Sequence, residues 1–384
     1  MEMTLVLTHA CNLGCPYCYM GRKFGRRMPE DIAEKALAWT FERLQPGDEL
    51  QVGYFGGEPL MAWDLLQKYH LRAKDLARGK GLAKFVGATT TNGTLLDEAK
   101  MDWMAENGVV VAISLDGVKE SHDITRPFVN GKSSFEAARR GLHVALKRAP
   151  LTEALCVIDP ANVKHMAASA RFLLDEGARV ISLSMNYSAA WDEASLAIYE
   201  EQYERVGDEF ERRFRSGEDI YIASLDAKIV GRLKNGLKEC DRCSFGVGEV
   251  AVAPSGNMYP CERLVGEDND PTWVIGHIER GVEHAKLSAI NGRRAVQDPT
   301  CRSCAIVDRC MNSCGCSNAF SSGDAAVPGA ALCLTEQINA RVADRVARNL
   351  FWAGNAVFLN KFYFEREAPA AQAVPLAELA GVGA

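Results

Sequence analysis

No apolar run in the sequence approaches the roughly 18 residues a membrane-spanning helix needs. Met1 leads straight into a short strand-like segment, with no charged stretch and cleavage site of the kind that directs secretion. A cytoplasmic chain with no membrane partner is therefore expected. Basic charge is also in short supply: 44 Lys and Arg stand against 50 Asp and Glu, a net charge of −6 over 384 residues. That balance gives no field for generic binding to nucleic acid or anionic lipid. Histidine is scarce, at 7 residues without the paired spacing of a zinc site. Cysteine is what the chain has in excess. There are 13, an odd number, and they cluster: Cys11, Cys15 and Cys18 near the start, Cys156 alone, and nine between Cys240 and Cys333. In a reducing compartment such clusters read as metal ligands in preference to disulfides.

Up to about residue 217, short β-branched or apolar runs alternate with amphipathic stretches, the rhythm of βα units around a parallel sheet. Strands are expected at 3–8, 50–55, 85–91, 109–115, 155–158 and 180–185. Helices are expected at 29–44, 63–78, 95–107, 133–148, 163–176 and 192–215. Six units are too few for a closed eight-stranded barrel, so the fold class is α/β, a partial (β/α)6 TIM-like barrel. Residues 1–217 would form it, 218–234 a linker, 235–350 a cysteine-rich domain ending in a helix at 334–350, and 351–384 an extension with a mobile tail. In βα barrels chemistry sits at the C-terminal ends of the strands, and there this sequence places Cys11 to Cys18, Gly56-Gly57-Glu58-Pro59, Asn92, Ser114 and Asp116. The charged run 200–215 reads as a solvated helix face with i,i+4 pairs, and Cys156, inside a strand, as a small buried residue.

Cys11, Cys15 and Cys18 stand in a C-x3-C-x2-C spacing on one loop. Three soft thiolates suit iron–sulfur or zinc, and three ligands leave one iron of a cubane open. A zinc knuckle completed by a distant His is the alternative. With Tyr17 before the third cysteine, this motif after a first strand resembles the signature of radical S-adenosylmethionine (radical SAM) enzymes. Gly56, Gly57, Glu58 and Pro59 after the second strand resemble the family's GGE segment, which holds the amino group of the cofactor's methionine moiety. Ser114 and Asp116 resemble a segment contacting cofactor or substrate, with an ordinary Asp-Gly turn as the alternative. Asn92 and Arg126 are further candidates for cofactor contact.

The second cysteine group reads Cys240-x2-Cys243, Cys261, Cys301-x2-Cys304-x5-Cys310-x3-Cys314, then Cys333. It resembles the SPASM extension of peptide-modifying radical SAM enzymes, which carries two auxiliary [4Fe–4S] clusters. The resemblance assigns Cys243, Cys261, Cys314 and Cys240 to the first, and Cys301, Cys304, Cys310 and Cys333 to the second. Structural zinc sites are the alternative. The first pair is tighter than the family's, so Cys240 or Cys243 is in doubt as a ligand and an iron is left open; Cys316 is surplus. Glu262, next to Cys261, matches an acidic residue proposed as a base in sulfatase-maturing members.

The resemblance thus implies three [4Fe–4S] clusters and S-adenosylmethionine, whose 5′-deoxyadenosyl radical takes hydrogen from a peptide or protein. The expected product is a thioether or C–C crosslink in a ribosomally made peptide, with formylglycine in a sulfatase as the competing outcome. A flavodoxin or ferredoxin would supply electrons, and either a separate leader-binding protein or direct recognition of the substrate is expected, since no leader-binding domain fits ahead of residue 3. A metal-binding scaffold or regulator without catalysis is the reading from a different class.

Overall fold

The strands of the computed structural model are, in chain order, β1 (Glu2–Thr8), β2 (Glu49–Gly56), β3 (Lys84–Thr91), β4 (Val109–Ser114), β5 (Glu153–Ile158), β6 (Val180–Met185), β7 (Tyr221–Ile222), β8 (Glu249–Val252), β9 (Asn257–Tyr259), β10 (Gly276–His277) and β11 (Gly281–Val282). The structure describes residues 1–238, 241–295 and 298–363. All six expected strands form, each within two residues of its expected ends. Between them run helices Glu30–Arg43, Trp63–Lys80, Glu98–Asn107, Phe135–Arg148, Met166–Asp175 and Glu193–Arg215. Asp97 starts one by accepting the Lys100 N–H at 2.8 Å, and Asp192 and Ser195 start another as a reciprocal capping pair.

The described chain forms two compact units. The first is Met1–Leu115, Arg126–Thr152 and Ser244–Ala295. Its sheet has the order β11-β10-β9-β8-β1-β2-β3-β4. β8, β1, β2, β3 and β4 pair in parallel, while β8 to β11 are antiparallel. β1 is covered on both faces, with Leu5, Val6 and Leu7 all at 0% exposure, as a central parallel strand must be. Each such side chain contributes about 1.5–3 kcal/mol of burial.

The second unit takes in 116–125, the described part of 153–243 and residues 298–363. β5, β6 and β7 pair in parallel there. Helix Glu193–Arg215 packs on helix Ala330–Trp352, where the Tyr199 hydroxyl donates to Asn339 Oδ1 at 3.0 Å.

Two expectations are corrected. The stretch 218–234 is no linker: it holds β7 and helix Ala223–Leu233, whose Leu225 and Ile229 are buried. A strand of two residues is too short to show a period. The run 200–215 is not wholly solvated either, because Glu209 at 2% exposure receives Arg213 at 2.8 Å and Arg212 at 2.6 Å. In the extension, helix Ala356–Phe362 buries Phe358 against Phe214; residues 364–384, including the expected tail, lie outside the described residues. Cys156 is buried in β5 as expected. Among the described residues no helix is long and apolar enough to cross a membrane.

Candidate functional site

The loop leaving β1 carries three partly exposed thiols, Cys11, Cys15 and Cys18. Backbone turns shape it: the Cys18 N–H donates to Cys15 O at 3.2 Å and the Gly21 N–H to Cys18 O at 3.0 Å. Lys23 Nζ donates to Cys18 Sγ at 2.8 Å, and the Leu13 N–H reaches Cys11 Sγ at 3.4 Å. Burial pushes the Cys11 thiol up to about 11, with Glu58 and Cys18 adding to the shift and the Leu13 N–H and Lys23 opposing it. A bound metal reverses that balance, because a coordinating thiol is deprotonated outright.

The turn after β2 is built around this loop. The Gly57 N–H donates to Thr8 O and the Glu58 N–H to Ala10 O, both at 2.8 Å. A Cβ on Gly56, whose φ is +144°, would stand 2.1 Å from Thr8 O, and one on Gly57 would stand 2.3 Å from Ala10 O. The two glycines are thus required by the close approach of the cysteine loop. Pro59 begins a short 3-10 turn immediately after.

Glu58, 1% exposed, takes the Leu60 N–H at 2.9 Å and the Thr91 hydroxyl at 2.7 Å on Oε1, and the Asn92 N–H at 2.8 Å on Oε2. Burial raises its pKa, against the pull of these donors and of Arg126. An ionised carboxylate offers about four acceptor positions, so the three donors leave room for about one more. Asn92 sends Nδ2 to Asn12 Oδ1 at 2.8 Å and toward Cys11 Sγ at 3.9 Å; its Oδ1 accepts the Thr94 hydroxyl at 2.7 Å. The Arg126 guanidinium lies 5.4 Å from the Tyr17 ring centre. Tyr17, Gly56 to Pro59, Asn92 and Arg126 therefore surround the Cys11 loop within one unit. Thr91, at the end of β3, joins them, and so do Asn12 and Lys23, which were not expected; Asn12 inside the cysteine motif was the available signal. Ser114 is buried at the end of β4.

Asp116 is placed differently. It is 0% exposed, and its oxygens accept the Val157 N–H at 2.8 Å and the Thr125 hydroxyl at 2.6 Å. It fastens its own segment to β5.

Cys261 follows β9 and is buried beside Glu249 and Glu262, with one ligand atom of each within 4.8 Å of the others. Its Sγ lies 3.7 Å from Glu262 Oε2. Glu249 had carried no signal in the sequence; only the pairing of β8 with β1 brings it opposite Glu2. Burial pushes Glu2 up to about 7, and Glu249 is raised further by burial together with Glu262 and Glu2. In the other unit, Cys314 Sγ is 3.4 Å from Cys316 Sγ, and Cys243 is partly exposed. Cys240 lies outside the described residues. Cys301 and Cys310 are buried, Cys304 and Cys333 partly so. Burial first, then Cys301 and Cys304, raise the Cys333 thiol, so these three sulfurs share one location. Clustered thiols of this kind fit iron–sulfur ligation.

Residues 5–173 match the Radical SAM superfamily. The serine-type anaerobic sulfatase-maturating enzyme of Klebsiella aerogenes is 23% identical over 316 residues, covering 79% of this chain and 77% of that protein. The structure of native anSMEcpe with bound AdoMet and the Cp18Cys peptide aligns with a TM-score of 0.75 and 21% identity, over 93% of this chain and 100% of that one. Streptococcus suis SuiB bound to the precursor peptide SuiA aligns with a TM-score of 0.57 and 14% identity, over 86% of this chain and 75% of the other. At these identities the structural likeness is one of fold: an α/β parallel sheet with a cysteine-rich C-terminal region. The matched segment spans β1 to the helix after β5, and within it the three thiols and the Gly-Gly turn interlock, so residues 5–173 carry a Radical SAM domain.

Proposed function

We propose that this chain oxidises a side chain of a peptide or protein substrate, with one [4Fe–4S] cluster on Cys11, Cys15 and Cys18, and S-adenosylmethionine beside Gly56 to Pro59 and Asn92. The observation that carries the reading is the interlock of the three-thiol loop with the Gly56-Gly57 turn and the buried Glu58. When bound, the cluster and its cofactor supply a carbon-centred radical able to remove hydrogen from an unactivated carbon. The chain's own contribution is orientation and exclusion of water. Lys23 offsets thiolate charge at Cys18, Asn92 ties the loop to β3, and Glu58 holds the exits of β2 and β3 together while offering a remaining acceptor position to a cationic group.

Two auxiliary clusters are proposed in the C-terminal region, one with Cys261 among its ligands and one on Cys301, Cys304, Cys310 and Cys333. They would receive the electron released as the substrate is oxidised, and Glu262 beside Cys261 would serve as the base. A thioether or carbon–carbon crosslink is the first product proposed, with a flavodoxin or ferredoxin as reductant and a separate leader-binding protein as partner. Formylglycine is the second reading, favoured by the sulfatase-maturating relative.

The test is anaerobic incubation of the reconstituted protein with S-adenosylmethionine, dithionite and candidate peptides, read by mass spectrometry. A crosslink appears as loss of two hydrogens without reaction toward an aldehyde-selective hydrazide; formylglycine reacts with it. Absence of any 5′-deoxyadenosine from a protein with full iron would overturn the enzyme reading.

A further inference from the structure

Lys228 and Glu336, both buried, face each other at 2.5 Å although 108 residues separate them in the chain. Lys228 stands on helix Ala223–Leu233 and Glu336 on helix Ala330–Trp352. Both also bond the backbone of the residues that bracket Cys310. Lys228 Nζ donates to Arg309 O at 2.8 Å, and Glu336 Oε2 accepts the Met311 N–H at 2.6 Å. Arg309 is itself held by a two-pronged pair with Asp344, at 2.6 and 2.7 Å. A buried ion pair is weak as a stabilising device, since apolar side chains of similar size often do as well. Its cost here is matched to one cysteine.

We propose that Lys228 and Glu336 position the Cys310 loop and set the reduction potential of the iron–sulfur cluster held by Cys301, Cys304, Cys310 and Cys333. The inference rests on the auxiliary clusters proposed above and names the groups that tune one of them. Once iron binds, Cys310 is a thiolate with a carboxylate beside it, and the Lys228 ammonium offsets that like charge. Net charge and hydrogen bonding around the sulfurs set cluster potentials. Negative charge nearby makes reduction harder and positive charge makes it easier, so the two residues act with opposite sign.

The experiment uses the full chain, anaerobically reconstituted, with iron counted per chain and each cluster's potential read by EPR-monitored titration. Glu336→Gln keeps an acceptor for Lys228 and Met311; it is expected to retain all its iron and move one cluster to a higher potential. Lys228→Met is expected to move the same cluster lower, and Lys228→Arg to return it toward the wild-type value. An unchanged potential in Glu336→Gln, a shift of the same sign in Glu336→Gln and Lys228→Met, or loss of the cluster's iron in Glu336→Gln overturns the tuning role. If Lys228→Met does not fold, the direction of the Glu336→Gln shift decides alone. A wild-type chain holding only about four iron atoms, one cluster's worth, would overturn the auxiliary-cluster reading instead, an outcome the iron count separates from the others.

Discussion

The carboxylate of Glu58, at the end of β2, accepts the backbone N–H of Asn92 just beyond β3 at 2.8 Å. One buried acid thereby fixes the spacing of two strand exits at the point where the Cys11 loop arrives. Glu58→Ala would leave the Thr91 hydroxyl and the Leu60 and Asn92 N–H groups without this acceptor, at about 1–3 kcal/mol for each group left unsatisfied. The variant is expected to lose both denaturant stability and cofactor cleavage, whereas Glu58→Gln retains part of each. Chemical unfolding beside a 5′-deoxyadenosine assay checks this, and an Ala variant as stable and active as the wild type would refute it.

Gly57→Ala would set a methyl group against Ala10 O, 2.3 Å from the ideal Cβ position. The backbone must move to admit it, and what moves is the cysteine loop. Reconstituted protein is expected to hold less iron and cleave little cofactor while keeping the rest of its fold, as circular dichroism and iron analysis would show.

Replacing Cys11, Cys15 and Cys18 together by Ala is expected to remove about a third of roughly 12 iron atoms and all 5′-deoxyadenosine formation. Cys304→Ala should act the other way, leaving cofactor cleavage partly active while the modified peptide disappears. Iron analysis, cofactor turnover and peptide mass spectrometry on the two variants measure the separation. Full peptide modification by Cys304→Ala would reduce the second auxiliary centre to a structural clasp.

Glu2 and Glu249 sit opposite each other in the β1–β8 register, near Glu262. Because burial lifts Glu2 to about 7, the folded chain keeps a proton that the unfolded chain releases between the ordinary carboxylate range and about 7. Glu249, raised further, extends the window upward. The unfolded state binds fewer protons in this window, so the stability of metal-free protein is expected to fall as pH rises through it. Denaturant midpoints at about pH 5, 6 and 7 test the sign, and Glu249→Gln should flatten the profile. A wild-type midpoint rising over that range would contradict the placement of these acids.

Chain-local features were legible without coordinates. The six βα units show because apolar period and helix signals lie within each segment, and the Cys11 to Cys18 motif because its ligands lie within eight residues. Other features depend on pairing across the chain. β8 to β11 are strands of two to four residues, too short to carry a period, and the place of β8 beside β1 follows from hydrogen bonds between segments some 250 residues apart. That pairing puts Glu249 opposite Glu2, and the antiparallel β8–β9 pairing brings it beside Cys261. The bond from the Val157 N–H in β5 to Asp116 likewise joins segments 41 residues apart. The sequence by itself determined which side chains have the chemistry to hold metal and cofactor, since spacing along one loop is a local property. The tertiary structure decided which charges face those thiols: Lys23 at Cys18, Glu249 at Cys261, Glu336 and Lys228 at Cys310. The physical reason is that electrostatic neighbours are set by packing distance and burial, and the chain order of residues such as Lys228 and Glu336 fixes neither.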